Sequence, residues 1–141
     1  MQTPFQRLGE DKIRELCDAF YHAMDTLPEA AGIRAMHAKD LGPISNTLAE
    51  YLIGWMGGPP LYHDKKGTVC LTDPHAPYHI GPKETGQWLL CFDAALKAIN
   101  ASDDVKAMLH GPIRQVAAAV QNRDHSNAAE KDPNIIAVGR T

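Results

Sequence analysis

At 141 residues, 44% of them hydrophobic, the chain is long enough to bury one sizeable core and too short for two. Its 14 lysines and arginines against 17 aspartates and glutamates leave a formal charge of −3, which gives neither nucleic acid nor an anionic membrane a bulk attraction. The opening M-Q-T-P-F-Q-R-L-G-E-D-K has no apolar signal core, and no uncharged apolar run nears the roughly 20 residues that span a bilayer, so a cytoplasmic protein is expected.

Pro4 to Leu8 reads as a short N-terminal turn closed by Gly9. From about Glu10 to Asp25, Ile13, Leu16, Cys17, Phe20, Tyr21 and Met24 recur at helical spacing, and Asp11, Lys12, Arg14, Glu15 and Asp18 fill the other side. That pattern predicts a helix with one buried face. A shorter helical piece is expected from Pro28 through Met36, ending near His37. Gly42-Pro43 opens a further helix with Ile44, Leu48, Tyr51, Leu52 and Trp55 as its apolar stripe, and Gly57-Gly58-Pro59-Pro60 stops it. From Leu61 to Ile80 neither helical nor strand period persists, which predicts a long ordered loop of the kind that usually carries function.

Gly81-Pro82 starts the next helix, with Trp88, Cys91, Phe92, Ala95 and Ile99 on one face. A last helix runs from Asp103 to Asn122 through Val105, Met108, Leu109, Ile113, Val116, Ala117 and Val120, and Gly111-Pro112 is expected to kink or split it. His125 to Thr141 lacks any period and reads as a mobile tail beyond a domain of residues 1–124. With no strand alternation and no internal repeat, the fold class is all-α. Two helices precede the long loop and two follow it, an arrangement that packs as two crossed antiparallel pairs with the loop between them. Cys17, Cys70 and Cys91 are odd in number and widely spaced, and read as reduced thiols.

Within the loop, His75 stands between Pro74 and Ala76-Pro77, where restricted backbone presents a side chain with little entropy to lose. Such a histidine is ordinarily a plain loop residue. It is also the best axial-ligand candidate, because a haem needs an apolar slot, a ligand on one face and polar control on the other. A zinc set of Cys70, His75, His79 and His63 is a further alternative, weakened by the absence of a close thiolate pair. Tyr21, Trp88 and His37 place polar tips on otherwise apolar helix faces, although each alone fits a core residue bonded to a carbonyl.

The ordered series Phe20-Tyr21, Met36-His37, W-M-G-G-P-P-L-Y from Trp55 to Tyr62, H-A-P-Y from His75 to Tyr78 and Q-W-L-L-C from Gln87 to Cys91 resembles the group II truncated haemoglobins. The likeness covers about residues 9 to 122. It implies a two-on-two helical sandwich around haem b (iron protoporphyrin IX), with His75 as proximal iron ligand and Tyr21, His37 and Trp88 as distal hydrogen-bond donors. Ile44 and Leu48 would lie over the bound ligand, with Ile44 where longer globins usually carry a distal histidine. Tyr62 would bond a propionate at the haem edge, and Ile80 would contact the cofactor.

The chain departs from the family in keeping only Gly9 of a double glycine, in Asp73-Pro74 ahead of the histidine where a basic residue is common, and in Thr47 where an arginine often reaches a propionate. Lys65, Lys66 and His79 are substitute propionate anchors. The resemblance implies diatomic gases as ligands and a monomer or weak homodimer. The same pocket would also suit a redox enzyme acting on peroxide, nitric oxide or nitrite. With no flavin or nicotinamide fingerprint, such an enzyme needs an external electron donor.

Overall fold

The computed structural model describes residues 2–70 and 72–122, and the described residues form helices and connecting turns without strands. The expected tail, 125–141, lies outside them. Helix α1 (Pro4–Thr26) begins with Pro4 in its first turn and Thr3 as cap: the Thr3 hydroxyl accepts from the Gln6 amide at 3.1 Å, and the Gln6 side chain accepts from the Thr3 amide at 2.8 Å. The predicted N-terminal turn is therefore itself helical. Gly9 breaks it from the rest, at φ 81° and ψ 164°, a conformation that glycine adopts without a side-chain penalty.

After α1 a 3-10 turn (Pro28–Ala30) leads into α2 (Ala31–Arg34), matching the short piece read from sequence. Helix α3 (Gly42–Trp55) runs as expected, but the buried face is set differently. Ser45, Ala49, Leu52 and Ile53 face the core, whereas Leu48 and Tyr51 are half-buried and Ile44 is 37% exposed. Period alone could not separate these adjoining faces, since both are apolar.

The predicted loop contains two short helices, α4 (Leu61–Lys66), ended by Gly67 at φ 76°, and α5 (Thr72–His75). Six and four residues are too few to show a 3.6-residue period. Helix α6 (Pro82–Ala98) follows, then α7 (Asp103–Val120), whose Ser102 cap accepts from the Val105 amide at 3.2 Å. The expected break at Pro112 does not split α7. Pro112 is exposed, so the backbone bond it removes lies on the solvent side.

α1 crosses α3 on one side and α6 on the other, and α6 packs on α7, which gives the two-on-two sandwich. Between the layers lie Ile13, Leu16, Phe20 and Met24 of α1, Leu52 and Ile53 of α3, Phe92 of α6, and Leu109 and Ile113 of α7, each 0–1% exposed. Every such aliphatic or aromatic side chain contributes on the order of 1.5–3 kcal/mol on burial. No helix among the described residues is long and apolar enough to cross a membrane.

The paired glycines after α3 seat the N-terminus. The Phe5 amide donates to the Met56 carbonyl at 2.9 Å, and a Cβ on Gly58 would lie 2.6 Å from the Phe5 ring and 2.9 Å from the Ile53 carbonyl. A side chain at position 58 would push the first turn of α1 off the end of α3.

Candidate functional site: an apolar cavity between a histidine turn and an aromatic wall

The half-buried stripe of α3 is the wall of a cavity of about 310 Å³, within the range typical of small-molecule and cofactor sites. One group of wall residues comes from α1, the α2 segment, α3 and α6: Tyr21, Ile33, His37, Ile44, Leu48 and Trp88. A second comes from α5, the turn after it and α7, and includes His75, Ile80 and Val116. Because α5 docks chiefly against α7 rather than against α1 or α3, the cavity lies between the two groups. Tyr62 also lines it, its ring edge-on to Tyr51 at 5.4 Å.

Aromatic packing fixes the first group. Trp88 lies parallel to Phe92 at 5.7 Å, with an interplanar angle of 10°, and tilted against Phe20 at 5.0 Å. Tyr21 meets Phe20 edge-on at 4.9 Å and His37 at 5.8 Å. The chain carrying His37 is held at both ends: the Gln87 side chain accepts from the Ile33 amide at 3.1 Å, and the Arg34 guanidinium donates to Asp25 at 2.8 Å and to the Ala38 and Lys39 carbonyls.

His37 Nδ1 lies 2.8 Å from the Ile33 carbonyl, which can only accept, so Nδ1 carries a proton. In the neutral ring, Nε2 is then a lone pair, and His37 offers the cavity a donor only when doubly protonated. Burial lowers the His37 pKa from its ordinary 6.5, the Ile33 carbonyl works against that, and Arg34 and His75 lower it further. The neutral form is thus the one present at pH 7, which revises the donor role expected of His37. Burial, with a smaller contribution from Cys17, raises the Tyr21 pKa, so its hydroxyl keeps its proton.

On the other wall, the turn after α5 is tied to the end of α7. The Asn122 side chain donates to the His75 and Tyr78 carbonyls at 3.1 and 2.9 Å and accepts from the Ile80 amide at 3.0 Å, while its backbone amide donates to the Ile80 carbonyl at 2.8 Å. The Gly81 amide donates to the buried Glu84 carboxylate at 2.9 Å, which opens α6 immediately after that turn.

The bacterial-like globin family model matches residues 3–122. The chain belongs to that family. This globin is 36% identical to the group II 2-on-2 haemoglobin of Agrobacterium tumefaciens, covering 88% of this chain and 97% of that one with a TM-score of 0.82. It is 25% identical to the group 2 truncated haemoglobin YjbI of Bacillus subtilis over 121 residues, 86% of this chain and 89% of the relative. The truncated oxygen-avid haemoglobin structure from Bacillus subtilis matches with 25% identity and a TM-score of 0.79, over 86% of this chain and 100% of that one. The globin is accordingly placed with the group II truncated haemoglobins, haem-binding proteins of two-on-two fold.

The residues present fit such a cofactor. Among the described residues no group bonds the Tyr21 hydroxyl or the Trp88 indole N–H, although Tyr21 is only 6% exposed and both line the cavity. A buried donor without a partner costs on the order of 1–3 kcal/mol, so the Tyr21 hydroxyl suits a polar ligand inside an apolar slot, and the half-buried Trp88 N–H offers such a ligand a second donor. A histidine stands in the second wall group. All eight residues named from sequence, Tyr21, His37, Ile44, Leu48, Tyr62, His75, Ile80 and Trp88, line this one cavity.

Other expectations for the site change. His63, Cys70 and His79 do not line the cavity with His75, and the described residues gather no group of three or more side chains able to hold a metal ion. Lys65, Lys66 and His79 are likewise absent from its wall. Lys65 is engaged elsewhere, in an ion pair with the buried Glu50. The Thr47 hydroxyl donates to the Pro43 carbonyl within its own helix. Tyr51, Val116 and Val120, read from sequence as ordinary stripe residues, are wall residues. Asn122 and Gln87 escaped sequence reasoning because their partners lie 42 or more positions away and neither sits in a hydrophobic period.

Proposed function

We propose that this globin holds haem b through the His75 imidazole and binds oxygen and other diatomic gases on the Tyr21–Trp88 side. Haem, when bound, supplies an iron centre at which such gases attach. The observation that carries the reading is the pair of donors on one cavity wall, the buried Tyr21 hydroxyl and the half-buried Trp88 N–H, neither with a partner among the described residues, opposite a wall that bears His75. With a gas held there, the Tyr21 hydroxyl and Trp88 N–H would donate to negative charge on it, each contributing roughly 1–3 kcal/mol. Ile44 and Leu48 keep that side apolar, and Ile80 and Tyr62, which line the same cavity, would hold the cofactor by packing and by a hydroxyl donor to a propionate.

Two such donors favour slow release, which agrees with the oxygen avidity named for the Bacillus subtilis relative and suits sensing or scavenging better than bulk delivery. Spectra of the purified protein as isolated, reduced and under carbon monoxide test the assignment. A Soret band with reversible oxygen and carbon monoxide complexes is expected, and His75→Ala should lose the iron–imidazole signature. A His75→Ala protein that kept it would remove His75 as the ligand.

A redox reading is favoured by one feature, the His37 Nε2 lone pair, which can take up a proton beside the gas-binding side. Turnover of peroxide, nitric oxide or nitrite would draw electrons from an external donor, in the cytoplasm. Steady-state rates with a reductase, set against free haem, separate this from reversible binding.

A further inference from the structure

Asn122 makes four hydrogen bonds to the six-residue stretch 75–80, three through its side chain. Its Nδ2 donates to the carbonyls of His75 and Tyr78, its Oδ1 accepts from the Ile80 amide, and its backbone N–H meets the Ile80 carbonyl. One planar amide thus binds both ends of the turn that follows His75. It does so from the C-terminal end of α7, the helix on which α5 docks.

Neighbouring contacts give that grip a firm base. The Tyr78 amide closes the turn onto the His75 carbonyl at 3.0 Å, so this carbonyl accepts from two sides. The Thr85 hydroxyl lies 3.0 Å from both the Gly81 carbonyl and the Gln121 side chain, joining the start of α6 to the residue before Asn122. α5 itself is one helical turn long, too short to hold its own geometry. The backbone angle at which His75 leaves that turn must therefore be set from outside it.

We infer that Asn122 is the positioning residue for His75, clamping the turn 75–80 so that the imidazole meets the cavity at one fixed orientation. The inference rests on the proposal that His75 is the axial ligand. A short, single-turn support for an axial histidine would otherwise rotate and tilt, and the strength of the iron–imidazole bond would vary with it. The amide is suited to the task because it donates and accepts at once, which neither aspartate nor alanine does.

The two halves of the clamp are separable. Asn122→Ala removes both, whereas Asn122→Asp keeps an oxygen to accept from the Ile80 amide and loses the donor to the His75 and Tyr78 carbonyls. In the haem-loaded full chain, both variants should shift or broaden the ferrous iron–histidine stretching band in resonance Raman spectra. Hydrogen exchange at the Ile80 amide should speed up by about tenfold or more in Asn122→Ala and stay within about threefold of wild type in Asn122→Asp. Gln121→Ala, which removes the side-chain contact to Thr85 and leaves the Asn122 amide in place, should leave the band in place.

If the band keeps its wild-type position and width in Asn122→Asp, the clamp holds the turn without setting the ligand, and the inference falls. That variant also decides the matter if Asn122→Ala does not fold. The axial proposal fails by a different sign, a His75→Ala protein that retains the band, while Ile80 exchange still reports on the clamp.

Discussion

Replacing Tyr21 by phenylalanine removes one oxygen and leaves the ring in place. The edge contacts to Phe20 at 4.9 Å and to His37 at 5.8 Å involve the ring alone, so packing is preserved. Among the described residues the hydroxyl has no protein partner, so its removal strands no other buried group. A donor to a charged acceptor contributes roughly 1.5–3 kcal/mol, and each 1.4 kcal/mol is a factor of ten, so oxygen should leave Tyr21→Phe about 10 to 150 times faster. Equilibrium stability should hold or rise, because the buried hydroxyl no longer goes without a protein partner. Stopped-flow displacement of oxygen by carbon monoxide gives the rate, and urea unfolding of the same preparation gives the stability. An off-rate within about twofold of wild type, or a stability loss above about 1 kcal/mol, would refute the reasoning. The first result would mean that Tyr21 does not reach the ligand, the second that its hydroxyl has a structural partner.

Three other expectations concern pH, packing and charge. His37 has a folded pKa below its ordinary 6.5, so unfolding takes up a proton: its contribution to stability is complete above about pH 6.5, declines as pH falls through that value, and levels off below the folded pKa. The wild-type minus His37→Phe difference in unfolding free energy should follow that course, and a difference flat from pH 8 to 5 would contradict it. Gly58→Ala should cost about 1–3 kcal/mol, because its Cβ meets the Phe5 ring and the Ile53 carbonyl, measured by thermal unfolding with the gas off-rate largely unchanged. Lys65→Met leaves the buried Glu50 carboxylate without its cation, and should lower stability by about 1 kcal/mol at pH 7. The Lys65→Met, Glu50→Gln double variant should recover much of that loss, and no recovery would mean that the ion pair is not the cause.

Much of the fold was legible because long amphipathic helices write their period into the chain. Ile13, Leu16, Cys17, Phe20, Tyr21 and Met24 were read from spacing, and all six are buried. The cavity was legible less directly. Ile44 and Leu48 fit the same helical stripe as Leu52, and spacing cannot tell a core face from a cavity face. The ordered motif around His75 and Trp88 gathered the wall residues instead. Two things were beyond either signal. The protonation pattern of His37 follows from one contact to the Ile33 carbonyl, a matter of ring orientation. The Asn122 clamp joins positions more than 40 residues apart through an amide that no periodicity marks.

The Gln87 bond to the Ile33 amide spans α6 and α2, one position from Trp88 and four from His37. Gly32 leaves room for it, since a Cβ there would lie 3.1 Å from the Gln87 oxygen. Gln87 therefore works as a gauge block between two parts of the wall: its length fixes how far apart the indole and the imidazole stand. Shortening it to asparagine would move both at once. Substitutions at His37 and Trp88 should accordingly be non-additive, and Gln87→Asn, a change at a residue that does not line the cavity, should alter the effect of both.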